Sequence, residues 1–138
     1  MRRLLSFLAA RLCRHRLIAD RVDKSSPYLS RWYIAGNATS PWFLALHQIH
    51  KSDSDAHLHT HPFAYVACQL AGSMQEVQPD GTYKRRPGYL RVRRHESRHR
   101  LVLPGGKEVW SLFFGFNRRG SWGFSVNGRI VDHKEYLA

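Results

Sequence analysis

The stretch DAHLHTHPFAYVACQLAG, residues 55–72, decides the fold. It carries three histidines at alternate positions, His57, His59 and His61, followed by a long apolar run. Residues two positions apart in an extended strand point to the same face, and neutral imidazole is a common ligand of divalent metals. Two neighbouring histidines of this stretch therefore supply half of a metal site, and a third histidine has to come from elsewhere in the chain.

The rest of the chain has the pattern of short strands. FAYVACQLA (63–71) is apolar on both faces, as expected for a strand buried between two layers. Further strands are predicted at 28–34, 42–49, 73–77, 88–94, 99–103 and 108–116. Turn signals separate them, and Asn127-Gly128 is the strongest hairpin signal. Many short strands with such turns predict an all-β sandwich or barrel.

The N-terminal residues have a different pattern. MRRLLSFLAARLCRHRL (1–17) predicts a basic amphipathic helix whose apolar face consists of Leu4, Leu5, Leu8 and Leu12. Its apolar stretch is interrupted at the shortest length that a signal peptide tolerates. We expect the helix to cap the domain or to pack on a partner, and we favour membrane-surface binding or organelle targeting less. The predicted division is a helix over 1–22 and one barrel domain over 23–138.

Composition limits the classes of protein. The 138 residues suit one compact domain, and no apolar run approaches the ~20 residues of a membrane span. The net charge of +12 could attract an anionic substrate, anionic lipid or nucleic acid, but no helix-turn-helix or zinc finger is present. Cys13 and Cys68 form no disulfide framework, so we predict a reduced core position for Cys68 and a cytoplasmic protein.

Two segments resemble the two metal-binding motifs of the cupin superfamily. In residues 53–72, the pair His59 and His61 is followed by Gly72 at the position of the cupin glycine. In residues 87–99, a Pro-Gly turn opens a strand and His99 takes the place of the remaining histidine. The likeness covers residues 42–116 and implies a double-stranded β-helix, that is, a jelly-roll barrel of cupin type.

The first motif departs from the cupin pattern in two places. Its glutamate position falls on Tyr65, and its opening glycine is replaced by Asp53. In this the chain is similar to the three-histidine cupins, such as thiol dioxygenases, which bind iron without the glutamate. The resemblance implies a divalent metal, iron(II) first and zinc, nickel or manganese as alternatives. The predicted ligands are the three motif histidines and one carboxylate from the next strand: His59, His61, His99 and Glu76.

Each of these residues has a second interpretation. The histidines could be buried hydrogen-bonded residues without a metal, and Glu76 a solvated or salt-bridged carboxylate. His57 is expected at the rim, and His95 lies too close to the Pro-Gly turn to replace His99. Tyr65, if it points inward, could donate a hydrogen bond in catalysis. Arg100, or one arginine of residues 91–94, would hold a substrate carboxylate or phosphate.

The function predicted from the resemblance is that of a metal-binding cupin, with non-haem iron dioxygenase-like chemistry on a small molecule. Such barrels often pair through edge strands, so a homodimer is expected. The alternatives are a non-catalytic module that binds a ligand or nucleic acid, and a metal-stabilised structural protein of a phage or mobile element. A looser resemblance to small phage and bacterial cupin-like proteins implies no activity; it rests on residues 28–32, 59–62, 72–76 and 122–124.

Overall fold

The computed structural model describes residues 1–11 and 14–138. Two helices, α1 and α2, lie near the ends of the chain, at Arg2–Arg11 and His133–Tyr136. Between them run the strands β1 (Arg14–Ala19), β2 (Pro27–Ala35), β3 (Phe43–Ile49), β4 (Ala64–Ala71), β5 (Met74–Gln78), β6 (Gly81–Arg85), β7 (Leu90–Arg93), β8 (Arg100–Val102), β9 (Val109–Phe116), β10 (Gly123–Val126) and β11 (Arg129–Asp132). The prediction of an all-β domain with an N-terminal helix is confirmed.

The strands form three antiparallel sheets. The largest has the order β1-β2-β3-β9-β4-β7, a second has the order β6-β5-β8, and β10 and β11 form a hairpin. Leu29 and Val109 of the large sheet pack on Met74 and Leu101 of the second, so one core lies between the two layers. β1, β2 and β3 are consecutive in sequence, but β9, β4 and β7 join the sheet out of sequence order, which is the connectivity of a folded-over barrel rather than of a simple meander.

The predicted hairpin is present between β10 and β11. Asn127 and Gly128 both have positive φ, 48° and 77°. Two positive φ values are what a two-residue type I′ turn requires, which is why this dipeptide is such a strong hairpin signal. The hairpin lies against the functional site, because the backbone of Phe124 bridges His59.

The predicted helix over 1–22 does not extend to the segment that begins at Arg14. Arg14–Ala19 is instead a strand, β1, which pairs antiparallel with β2 along its length. The apolar spacing in this segment fits a helix, but the edge of β2 offers a row of unpaired backbone groups, and satisfying them outweighs a weak local preference. The N-terminal segment is therefore divided between a helix and part of the barrel.

Helix α1 packs on the outer face of the large sheet. Its Leu5 and Ala9 are buried against Trp110, whereas Leu4 and Leu8 of the predicted apolar face are about half exposed. Leu12, the fourth residue of that face, lies outside the described residues. Neither α1 nor the other described helix is long and apolar enough to cross a bilayer.

Cys68 does not occupy the predicted core position. It is half-buried on β4, where it lies opposite Leu90 of β7 and Leu112 of β9, both of which are exposed. Its neighbour Ala67 is buried on the inner face, because successive side chains of a strand alternate. Cys13 lies outside the described residues. The cytoplasmic location, which rested on the cysteine pattern, stays a prediction.

Candidate metal centre

Backbone pairing brings the two histidine segments together. The backbone N–H of His59 donates to the carbonyl of His99 at 2.9 Å, and that of His99 donates to the carbonyl of His59 at 3.1 Å. The segment before β4 is therefore held by isolated bridges to His99 and Phe124 instead of forming the continuous strand that the alternation predicted. His59 and His61 of this segment still lie on the same side and face His99.

His59, His61 and His99 form a compact cluster. One ligand nitrogen from each of the three lies within 4.8 Å of the others. The ring centroids are 5.0–5.1 Å apart, and no pair of rings is stacked. Three imidazole nitrogens grouped in this way are a ligand set that zinc, iron, nickel and copper can use.

The cluster is also in the protonation state that a metal requires. Burial lowers the pKa of His59 to about 4, with the nearby Asp53 charge opposing the shift. Burial and the neighbouring histidines lower the pKa of His61 well below its usual value, and burial lowers that of His99. All three rings are therefore neutral at physiological pH, so each has a lone pair free to bind a cation.

Glu76 stands behind His99 and orients it. The Nδ1–H of His99 donates to the Glu76 carboxylate at 2.9 Å, which leaves Nε2 of His99 as the ligand atom. The carboxylate also accepts from Arg85 Nε at 2.9 Å and from Arg93 Nη2 at 3.2 Å. Its burial opposes ionisation, but the His99 bond and the guanidinium charges of Arg91 and Arg93 lower its pKa. Because both oxygens are already bonded, the geometry favours an orienting role for Glu76 over the predicted role of ligand.

Asp53 has a similar position behind His59. Its carboxylate accepts from the Leu101 backbone N–H at 2.7 Å and from the hydroxyl of Tyr28. It lies 3.7 Å from Nδ1 of His59, which is too long for a hydrogen bond. That Nδ1 atom is buried and has no hydrogen-bond partner among the described residues. An unpaired buried nitrogen beside a fixed carboxylate fits a centre that holds a cation.

The three histidines open into a cavity of about 380 Å³ inside the barrel. Tyr65 is fully buried on its wall, with its ring centroid 4.9 Å from that of His61. Burial raises the pKa of Tyr65 to about 12, so its hydroxyl keeps its proton. Tyr65 therefore points inward beside the histidines, which is the condition that the sequence set for its role as a hydrogen-bond donor; that role stays a prediction.

Arg100 is not among the described residues that line the cavity. It alternates on β8 with Leu101, which does line the cavity, so its side chain belongs to the other face. The arginines that line the cavity include Arg91, Arg31 and Arg118. The sequence indicated that one arginine of 91–94 could point inward, but nothing in it singled out Arg31 or Arg118.

The remaining histidines lie apart from the cluster. His57 bonds the hydroxyl of Tyr136 at 2.9 Å, and His95 bonds the carbonyl of Asn117 at 2.6 Å. His47 is buried and lines the same cavity as the cluster. Its place on the inner face of β3, between Ala45 and Ile49, was the signal that could have revealed it.

Comparisons with known proteins identify the fold. No family model and no curated protein matches the chain. A sugar phosphate isomerase of the cupin superfamily from Silicibacter pomeroyi is 15% identical, with 81% of this chain and 76% of that chain covered and a TM-score of 0.60. A cupin-2 domain protein from Rhodospirillum rubrum is 13% identical, covering 89% and 78%, also at 0.60. Fe(II) HppE is 9% identical, covering 74% and 56%, at 0.56. Identities this low show the fold alone, and it is the predicted cupin-type jelly roll.

Proposed function

We propose that the protein is a metal-dependent enzyme that acts on a small molecule, with His59, His61 and His99 as its metal ligands. The observation that carries this proposal is the neutral three-histidine cluster, with nitrogens within 4.8 Å of one another, on the wall of a cavity of about 380 Å³. Structural zinc sites have four protein ligands, whereas catalytic sites keep open positions for water or substrate. Three imidazoles beside a cavity correspond to the second kind.

Dioxygenase-like chemistry with iron(II) is the reaction we favour. The likeness to Fe(II) HppE supports iron in this fold, and zinc, nickel or manganese are the alternatives because histidine sites accept several ions. A divalent ion held here would supply Lewis-acid or oxygen-dependent redox chemistry.

The protein's own residues prepare the site for such a reaction. Glu76 fixes the tautomer of His99 by accepting its Nδ1–H. Tyr65 remains protonated and beside His61, so it can donate a hydrogen bond to a substrate oxygen. The surrounding aromatic side chains, Phe63 and Phe113 among them, give part of the cavity wall an apolar surface.

The test is oxygen consumption by protein reconstituted anaerobically with iron(II), using a panel of small organic acids as substrates. We expect substrate-dependent oxygen uptake that is lost in His99→Ala and reduced in Tyr65→Phe at unchanged metal content. His95→Ala is the matched control, because His95 lies outside the cluster. One bound metal per chain without turnover for iron, zinc, nickel or manganese would contradict the enzyme and favour a non-catalytic binding module.

We also propose that the chain forms a homodimer through β7. This strand is at one edge of the large sheet, and Leu90 and Val92 on its outer face are 61% and 63% exposed. Exposed apolar side chains on an unpaired edge are typical of a surface that pairs with another copy. Sedimentation should give a dimer for the wild type and a monomer for Val92→Asp. A monomeric wild type at micromolar concentration would contradict this.

A further inference from the structure

The cavity beside the three histidines is strongly positive. Among the described residues that line it are five arginines and no aspartate or glutamate: Arg16, Arg21, Arg31, Arg91 and Arg118. Only Arg21 of these has a carboxylate partner, Asp55, at 2.7 Å. Burying a charge is costly unless it is paired and hydrogen-bonded. Of the five, Arg31 and Arg91 are buried, and neither has a carboxylate partner among the described residues. An anionic ligand in the cavity would supply the negative charge that they lack.

Arg91 is the clearest of these unpaired charges. It is only 5% exposed, and its Nε and Nη1 atoms are buried without a hydrogen-bond partner among the described residues. Its guanidinium lies 5.9 Å from the centroid of the Tyr65 ring, at the end of the cavity where the histidines are. The nearest carboxylate, Glu76, is already bonded to Arg85, Arg93 and His99.

Arg31 and Arg118 supply a second cationic group. Arg31 is 8% exposed and donates from Nε to His47 Nε2 at 2.8 Å, so its buried partner is a neutral ring. Burial and the charge of Arg31 both lower the pKa of His47, which keeps that ring neutral. Arg118 donates from Nε to the Ser40 carbonyl at 2.9 Å, and its buried Nη2 has no partner in the described part of the chain.

A row of stacked rings separates the two cationic groups. Tyr65 stacks on Phe113 with 4.6 Å between centroids, and Phe113 stacks on His47 at 4.4 Å. These residues come from β4, β9 and β3, which are adjacent in the sheet, so the row runs across the strands. Arg91 adjoins its Tyr65 end, and Arg31 is bonded to its His47 end. The cavity thus has an aromatic floor with a guanidinium at each end.

We propose that the substrate is a small organic molecule with two anionic groups, here called a dianion, lying across this floor; it is either a dicarboxylate or a phosphorylated carboxylate. One anionic group binds Arg91 near the histidine cluster, and the other binds Arg31 and Arg118. The planar guanidinium suits both carboxylate and phosphate oxygens, and the ring faces pack on the carbon skeleton. This inference rests on the proposed function for the reaction, but the binding it describes needs no metal.

The test is calorimetric titration of metal-free protein with matched probes. Glutarate and 3-phosphoglycerate represent the two kinds of dianion, and the tighter binder identifies the second anionic group. Butyrate has one charge and glutaramide none, so each should bind about tenfold to a hundredfold more weakly. Inorganic phosphate tests for a single-anion site, and phosphate binding as tight as that of either dianion would overturn the two-ended proposal. Failure of both dianions to bind at about 10 mM would also overturn it.

Variants of the arginines give a second readout. Arg91→Met should abolish dianion binding and raise the melting temperature of the ligand-free protein, because it removes a buried unpaired charge. If the role of Arg91 were purely structural, Arg91→Met would lower the melting temperature. Arg94→Met, three residues along and exposed, is the matched control and should change neither. If Arg91→Met does not fold, Arg118→Met tests the other end. Dianion binding that is retained in a folded Arg91→Met variant would contradict the proposal. If Arg118→Met has to be used instead, retained binding in that variant would contradict it.

The metal content of every variant, measured in parallel, separates this inference from the proposed function. Dianion binding by a protein that takes up no metal would refute the proposed enzyme and leave the anion site standing. Metal bound at one per chain without dianion binding would refute only the anion site.

Discussion

Arg91 and Arg93 lie two residues apart on β7 and point to the same inner side of the barrel, yet their surroundings differ completely. Arg93 donates to the buried carboxylate of Glu76, which Arg85 and His99 also share. Arg91 is more deeply buried and has unpaired nitrogens. The fold satisfies the charge of Arg93, and we propose that a ligand satisfies that of Arg91.

The same contrast holds for the two regions as a whole. In the Glu76 cluster, which consists of Glu76, Arg85, Arg93 and His99, the buried carboxylate is paired with two guanidinium groups. Through its bond to His99 the cluster also orients one ligand of the predicted metal centre. The buried arginines of the cavity wall, in contrast, lie against neutral rings: Arg31 bonds His47, and Arg91 lies beside Tyr65. We expect changes in the first region to affect folding and metal affinity, and changes in the second to affect ligand binding.

The largest effect is expected from Glu76→Gln. This change leaves two guanidinium groups without their buried counter-charge and replaces one acceptor oxygen with an NH2 donor, so the His99 Nδ1–H and Arg85 compete for the single oxygen that remains. Unfolding in urea should show a loss of about 3–5 kcal/mol, and metal competition a ~10–100-fold weaker site. Glu96→Gln is the control, because Glu96 is exposed and pairs only with exposed Arg119. An unchanged urea midpoint for Glu76→Gln would mean that the bonds of Glu76 do not stabilise the fold.

A smaller change in stability is expected from Arg93→Met, and its sign should be opposite to that of Arg91→Met. Removing one donor from a buried carboxylate should destabilise the metal-free protein by about 1–3 kcal/mol. Arg91→Met, the matched change on the same face, should instead stabilise it. Thermal unfolding of both proteins side by side measures the difference. If both variants shift the melting temperature in the same direction, the distinction between the two arginines fails.

The smallest effect concerns pH and His47. Burial and Arg31 hold the pKa of His47 well below 6.5 in the folded protein, so below about pH 6.5 the unfolded chain binds the extra proton. Stability should therefore fall on acidification, and this residue contributes at most about 1.4 kcal/mol per pH unit. In His47→Asn the slope between pH 6.5 and pH 5 should be shallower, whatever its absolute stability. An identical slope would show that His47 does not stay neutral in the folded state.

The sequence predicted the fold and the histidine cluster because both depend on local patterns. Strand length, turn dipeptides and the spacing of His59, His61 and His99 can be recognised without knowing which strands meet. The hairpin at Asn127-Gly128 was predictable for the same reason, since two positive φ values are a local requirement.

The features that the sequence did not reveal depend on distant neighbours. β1 follows a helical spacing but pairs with β2. Leu90 and Val92 face outward while Arg91 and Arg93 face inward, which reverses the usual pattern because the inner face borders a cavity and not only a core. The role of Glu76 depends on contacts with Arg85 of β6, Arg93 of β7 and His99, which precedes β8. No local sequence pattern indicates that these side chains are close together.

The most direct test of the central claim is elemental analysis of untagged protein purified without chelator, together with His99→Ala and His95→Ala. The account predicts close to one divalent metal ion per chain in the wild type and in His95→Ala, and none in His99→Ala. Absence of metal in the wild type after incubation with iron(II), zinc, nickel and manganese, or equal metal content in all three proteins, would contradict a metal centre formed by His59, His61 and His99.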